Sequence, residues 1–335
     1  MGSSFHILTP RSGPGTLSIV VPAYNEQEVL PLFRQQITEF MDSLDCACEL
    51  IVINDGSRDQ TLKLLNDWAI VEPRVKLLSL ARNFGHQAAV TAGLDYAAGD
   101  AVVIMDIDLQ DPPEVVREMI ARYREGYDVI YGQRVEREGE SAFKKLTAWG
   151  FYRFMRTFIH RDLPSDTGDF RLVSRQCLEA LKTMRETHRF LRGMVAWVGF
   201  PQTAVQYKRA ARAAGESKYP LRKMIRFAWT AAISFSPAPL RVSLIAGVMV
   251  ALLGIAIGIW AIIAKLVGWY VTPGWASIMV VMCVLGGAVL ISNGILGEYV
   301  GRIFEENKGR PLYIVSYTAN VEKHAATESK EEVHA

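Results

Sequence analysis

Short apolar runs alternate with longer stretches of helical period along the amino-terminal part of the chain. Leu17–Val21, Glu49–Ile53, Val75–Ser79 and Ala101–Met105 read as buried strands, because near-continuous apolar runs belong to strands covered on both faces. Between them Glu28–Leu44, Thr61–Ala69 and Gln87–Ala97 place apolar residues at helical spacing. Strands alternating with helices predict βαβ units, hence an α/β domain built on a mostly parallel sheet.

The texture changes toward the carboxyl end. Val242–Ala264 and Ala276–Leu296 hold no Asp, Glu, Lys or Arg, and each is long enough to cross a hydrocarbon core of ~30 Å as a helix. Trp269, Tyr270 and Trp275 lie between them, as aromatics do at a membrane interface, and the short connection carries only Lys265. Arg222, Lys223, Arg226 and Arg241 precede the first stretch; Arg302, Lys308 and Arg310 follow the second. Positive-inside bias puts both ends in the cytoplasm and the hairpin tip outside. Met1–Gly15 lacks the apolar core of a secretory signal, so the first domain is expected to stay cytoplasmic. The expected organisation is an extension over 1–16, a catalytic domain over 17–215, a juxtamembrane amphipathic segment over 216–240, two transmembrane helices over 241–298 and a cytoplasmic tail over 299–335. The charged stretch after Tyr317 has the composition of a disordered segment.

Polar residues cluster where the strands end, which is where open α/β sheets bind ligands. Asp106 and Asp108 follow the fourth apolar run directly. If the extended backbone persists, positions i and i+2 share a face, so both carboxylates and the Gln110 carbonyl would converge on one hard cation, Mg²⁺ or Mn²⁺, with positions left open for a substrate diphosphate. Asp55, before Gly56-Ser57, reads equally as a ribose or base acceptor and as ordinary turn or cap chemistry. Arg82 either faces a nucleotide or pairs on the surface. No G-x-G-x-x-G or Walker lysine loop is present, which argues against a dehydrogenase or a P-loop enzyme.

The formal net charge of +2 gives no bulk electrostatic reason for a nucleic-acid partner. The four cysteines form neither a disulfide framework nor a zinc set, since nothing completes Cys46-Ala47-Cys48. Two basic, aromatic-rich segments, Phe143–His160 and Ser217–Thr230, suit either the anionic cytoplasmic leaflet or packing on the sheet. Glu298 and Arg302 are spaced for a helical ion pair, and Asn293 for a polar contact between membrane helices.

Val21-Pro22-Ala23-Tyr24-Asn25-Glu26, Ile53-Asn54-Asp55-Gly56-Ser57, Arg82-Asn83-Phe84-Gly85 and Asp106-Ile107-Asp108-Leu109-Gln110-Asp111-Pro112-Pro113 occur in that order. Gly168-Asp169-Phe170-Arg171-Leu172, Gly215-Glu216-Ser217-Lys218-Tyr219 and Gly297-Glu298-Tyr299-Val300-Gly301-Arg302 follow. Together they resemble the family 2 glycosyltransferases that act on polyprenyl phosphates, the group of bactoprenol glucosyltransferases and dolichol-phosphate mannose synthases. The resemblance implies a GT-A fold and an inverting, metal-dependent transfer. It implies that Pro22, Tyr24, Glu26, Asp55, Arg82 and Asp106 bind the nucleotide sugar and that Asp106, Asp108 and Gln110 hold the metal. On the same basis Asp169 and Asp108 are catalytic, while Arg171 and Lys218 meet the lipid phosphate. The implied donor is a UDP-sugar, UDP-glucose by likeness to the glucosyltransferase branch. The implied acceptor is undecaprenyl phosphate in a bacterial inner membrane, and the implied assembly a homotetramer.

The acceptor chemistry can be argued independently. A phosphate monoester has its second pKa at about 6 and is largely ionised at neutral pH. It is already a nucleophile, so a positional role suits Asp169 better than that of general base. Other nucleotide sugars, a processive polysaccharide synthase and a non-catalytic membrane scaffold are the competing readings. The chain has no Q-x-x-R-W stretch and too few spans for a polymer channel, and an intact diacid site argues against a scaffold.

Overall fold

The computed structural model describes residues 7–134, 167–208, 238–267 and 274–321. The chain divides into two units: Met1–Tyr152, His160–Lys218 and Pro311–Ala335 form one, and Arg153–Ile159 with Tyr219–Arg310 the other.

In the first unit the four apolar runs are the strands β1 (Thr16–Ala23), β2 (Ala47–Asn54), β3 (Val75–Leu80) and β4 (Ala101–Ile104). The helices α1 (Leu30–Asp42), α2 (Thr61–Val71) and α3 (His86–Tyr96) link them, and α4 (Val115–Arg124) follows β4. Then come β5 (Val129–Arg134), β6 (Thr167–Ser174), α5 (Arg175–Thr183), α6 (Leu191–Trp197) and β7 (Gln202–Tyr207). The sheet order is β7-β5-β6-β4-β1-β2-β3-β8, where β8 is Val315–Ala319. The pairs β1–β2, β1–β4, β2–β3 and β5–β7 are parallel; β4–β6, β5–β6 and β3–β8 are antiparallel. The sheet is therefore mixed with a parallel centre.

Alternate strand residues feed two cores. Leu17, Ile19, Leu50, Val52 and Val103 pack with Phe33 and Ile37 of α1, Leu65 and Trp68 of α2 and Met119 of α4. Val20, Ile51, Ile53, Val102 and Ile104 pack with Val90 of α3, Leu178 of α5 and Met194 of α6. Each fully buried aliphatic side chain contributes about 1.5–3 kcal/mol, and burial on both faces is why these strands read as unbroken apolar runs.

Two expectations change. The disorder expected after Tyr317 does not hold at its start, because β8 continues through Ala319 and pairs antiparallel with β3, while residues 322–335 lie outside the described residues. The Asn320 side chain then donates to the carbonyls of Ala69 and Val75. Lys265 lies in the last turn of a helix rather than in the connection, since α7 runs Ala238–Leu266.

The second unit holds α7 and α8 (Trp275–Asn307). Ser243 Oγ donates to Ser292 Oγ at 2.8 Å, and Leu244, Met249, Leu252 and Leu290 are exposed. Pro239–Trp260 and Val280–Asn307 are both long and apolar enough to cross a membrane. The Glu298–Arg302 pair forms at 3.4 Å. The segments 143–160 and 217–230, with Lys218, lie outside the described residues.

Candidate active site

The carboxyl ends of β1, β2 and β4 open onto a cavity of about 320 Å³ lined by Pro22, Tyr24, Glu26, Asp55, Asn83, Gly85, His86, Asp106 and Asp108, among others. Backbone-to-side-chain bonds lace the loops that form it. Asn25, at φ 55°, donates its amide to Ser57 Oγ and accepts from the Arg58 amide. The Glu26 amide donates to Thr61 Oγ1. Gly56 has φ +66°, and a Cβ there would stand 2.5 Å from the Arg82 carbonyl carbon. Only glycine lets the β2 loop lie against the β3 loop so closely.

Asp55 holds that junction from the side. Its two oxygens accept the amides of Phe84 at 2.7 Å and Gly85 at 3.0 Å. Burial raises its pKa, and those two amides oppose the rise. The carboxylate therefore both lines the cavity and fixes the loop entering α3. Arg82 is exposed, with its guanidinium 3.9 Å from the Phe84 ring centroid and Nη1 bonded to the Asn83 carbonyl. Asn83, not Arg82, is among the residues lining the cavity.

Strand alternation does not carry through the expected metal set of Asp106, Asp108 and Gln110. β4 ends at Ile104, and Leu109 takes φ 57° in the following turn. The alternation is broken before Gln110, which is only 4 % exposed and does not line the cavity. Asp106 and Asp108 remain on it, with Asp108 Oδ1 accepting the Gln110 amide at 3.1 Å. Among the described residues no three His, Cys, Asp or Glu side chains are gathered as a metal cage. The residues nonetheless fit a divalent ion. Asp106 is pushed up to about 6, first by desolvation and then, against His86, by the charges of Asp169, Asp108 and Asp111. Such an excess of negative charge favours a cation, and a substrate diphosphate can complete its coordination.

Asp169, near the start of β6, has the most heavily supported carboxylate of the group. Oδ1 accepts from Arg192 Nε at 2.8 Å; Oδ2 accepts from Gln87 Nε2 at 3.2 Å and stands 3.2 Å from His86 Nε2. Burial works against the anion, but His86, Arg192 and Arg171 outweigh it and hold Asp169 well below the usual carboxylate range. His86 also stands 3.9 Å from Asp106 Oδ1. Desolvation would lower the imidazole pKa, yet Asp169 and Asp106 raise it overall. Gln87 accepts the Leu191 amide at 3.0 Å on its other side, tying α3 to α6.

Arg171, expected to meet an acceptor phosphate, is a buried side chain. Its side chain is 5 % exposed, and Nη2 and Nε donate to the carbonyls of Gly168 and Asp169. Burial pulls its pKa down to about 10. Its guanidinium fixes the backbone beneath Asp169. The more accessible cations are Arg192, 35 % exposed, and Arg134, 32 % exposed. A Cβ on Gly168 would come within 2.7 Å of Arg134 Nη2, so the glycine makes room for that guanidinium. The Tyr207 hydroxyl donates to buried Asp111 and accepts from Arg134 Nε at 3.4 Å, completing the support. His86, Gln87, Arg134 and Arg192 are thus site residues that the sequence reading did not select.

Comparison with known proteins is consistent with this geometry. The model of the family "Glycosyl transferase family 2" matches residues 18–182. The chain is 45 % identical over 305 residues to the glycosyltransferase YkcC of Bacillus subtilis, covering 91 % of this chain and 94 % of that one. It is 40 % identical to the bactoprenol glucosyl transferase of Shigella phage SfV, covering 89 % and 97 %. It is 38 % identical to a prophage bactoprenol glucosyl transferase homolog of Escherichia coli, covering 89 % and 98 %. Relatives this similar over 89–91 % of the chain show that it belongs to glycosyl transferase family 2, as a glycosyltransferase with a GT-A catalytic domain.

Proposed function

We propose that this enzyme transfers glucose from UDP-glucose to undecaprenyl phosphate, with inversion, at the cytoplasmic face of a bacterial plasma membrane. The observation that carries the reading is Asp106 and Asp108 on the strand-end cavity, walled by a His86 that also contacts Asp169, in a chain with two apolar helices of membrane-crossing length. The names of the Shigella phage and Escherichia coli relatives supply the carrier lipid and the sugar.

Asp106 and Asp108 would hold a Mg²⁺ or Mn²⁺ ion, which neutralises diphosphate charge and makes UDP a better leaving group. An acceptor phosphate oxygen forms the bond to the anomeric carbon as the bond to the UDP oxygen breaks, and the electron pair leaves on the diphosphate. The nucleophile arrives ionised, so no proton has to be removed from it. Asp169 is held as an anion by its neighbours and is a poor base. It instead stabilises the positive charge that develops at the anomeric carbon. Among the described residues, Arg134 and Arg192 are partly exposed cations beside Gly168 and Asp169 that can receive the acceptor phosphate. Arg241 in the first turn of α7, and Lys308 and Arg310 after α8, support both ends of the hairpin lying in the cytoplasm.

The test is transfer of radiolabelled sugar from a panel of UDP- and GDP-sugars to undecaprenyl phosphate in detergent, with EDTA and with Mg²⁺ or Mn²⁺ restored. Glucose alone should enter the organic phase, and EDTA should abolish its entry. Labelled polymer, or no lipid-linked product from any donor with protein that binds UDP, would sink the reading.

A further inference from the structure

We propose that Tyr313, on the segment that follows the second apolar helix, is a positioning residue for transfer: through Asp95 and Arg185 it holds the turn that presents α6 to Asp169. The inference rests on Asp169 belonging to the reaction centre.

The argument starts at α3. Its first turn carries His86 and Gln87, both in contact with Asp169, and its last turn carries Asp95. A carboxylate at a helix carboxyl end is opposed by the helix dipole and needs compensation from outside the helix. Asp95 Oδ2 receives it twice, from the Tyr313 hydroxyl at 2.7 Å and from Arg185 Nη1 at 2.7 Å. The Asp95 side chain is only 13 % exposed, so these are partly desolvated, charge-assisted bonds.

Arg185 is the second residue of the connection between α5 and α6, residues 184–190. That connection is fastened to α3 at both ends: Arg185 to Asp95 at its start, and the Leu191 amide to Gln87 Oε1 at its finish. Arg189 closes the turn internally by donating to the Met184 carbonyl. Arg192, next in α6, then reaches Asp169 Oδ1. Tyr313 is the one member of this chain of contacts that comes from beyond α8 in sequence. It is locked in place by β8, by the Ala81 amide donating to the Ile314 carbonyl, and by packing of Tyr313 and Val315 on the core that holds Leu191 and Met194. Burial and then the Asp95 charge raise the Tyr313 pKa, so the hydroxyl stays a donor at working pH.

The experiment compares full-length Tyr313→Phe, Arg185→Lys, their double variant and wild-type protein in detergent. A lost positioning bond should lower kcat about fivefold in Tyr313→Phe while KM for the UDP-sugar stays within about twofold. Hydrogen exchange should accelerate in residues 184–197 and stay unchanged in β1 and β2. Tyr313→Phe combined with Arg185→Lys should cost less than the two separate losses multiplied together. Wild-type kcat with unchanged exchange, or exchange accelerated equally across the sheet, would overturn the proposal. Failure of the wild-type protein to form any lipid-linked product would count against the proposed function instead, and the exchange measurement would still decide the role of Tyr313.

Discussion

His86 Nε2 stands 3.2 Å from Asp169 Oδ2 and 3.9 Å from Asp106 Oδ1, so one imidazole spans the carboxylates that follow β4 and begin β6. With Arg192 on its other oxygen, Asp169 is fixed as an anion in one orientation. Replacing it by Asn keeps the shape and removes the charge. Asp169→Asn is expected to bind UDP as wild type does and to lose about 10²–10³-fold in kcat, by analogy with removal of other preorganised electrostatic groups. Isothermal titration with UDP and a single-turnover transfer assay check the two halves. Near-normal turnover would remove Asp169 from the reaction centre.

Gln87 has its amide orientation set by two partners, since Nε2 donates to Asp169 and Oε1 accepts from Leu191. Gln87→Glu keeps an acceptor for the Leu191 amide but replaces the donor to Asp169 with a like charge. A decrease in kcat of about 10-fold is expected, with UDP affinity unchanged. Gln87→Ala should also loosen α6, seen as faster hydrogen exchange at Leu191. Equal effects of the two variants on exchange would contradict the separate duties assigned to the two ends of the amide.

The strand–helix order from β1 to β4 and the location of the site were legible because both follow from local pattern. Apolar runs buried on both faces announce β1–β4, and strand-end acids announce Asp55, Asp106 and Asp108. Alternation does not reach Gln110 because it assumes an extended backbone, and the positive φ at Leu109 has no signature in a leucine. His86, Gln87 and Arg192 acquire meaning only through Asp169, which is 82 residues from Gln87 and 23 from Arg192. No local pattern connects such positions. β8 was missed for a similar reason: Ser316, Tyr317 and Thr318 are exposed, so a five-residue edge strand offers no apolar stripe to read.

Arg171 gives a clean separation between a structural cation and a ligand-binding one. Its guanidinium is buried on the Gly168 and Asp169 carbonyls, and truncation strands those acceptors. Arg171→Ala is expected to cost about 3 kcal/mol of stability, as breaking a buried charged group's contacts does. Chemical denaturation of the detergent-solubilised chain measures it. For any variant that stays folded, such as Arg171→Lys, KM for lipid phosphate should be unchanged. A selective rise in that KM would restore Arg171 to the acceptor site.

Glu49 is a buried carboxylate of the first unit whose protonation is expected to cost stability. Its carboxylate accepts from Ser18 Oγ, from Lys76 Nζ and from the Ala98 amide at 2.7 Å. Burial raises its pKa, but those three bonds outweigh the penalty and the net shift is downward. A group with a depressed folded pKa adds stability above its unfolded value, about 4.3 for Glu, and loses it as pH falls through the folded value. Wild-type stability should therefore decline as pH drops below about 4.3, partly through this residue. Glu49→Gln should be less stable at pH 7, because an amide pairs poorly with Lys76, and should show a shallower acid decline. Denaturation midpoints for both proteins between neutral and acid pH make the comparison. Parallel curves would mean that Glu49 takes up no proton in that window and that another carboxylate controls acid unfolding.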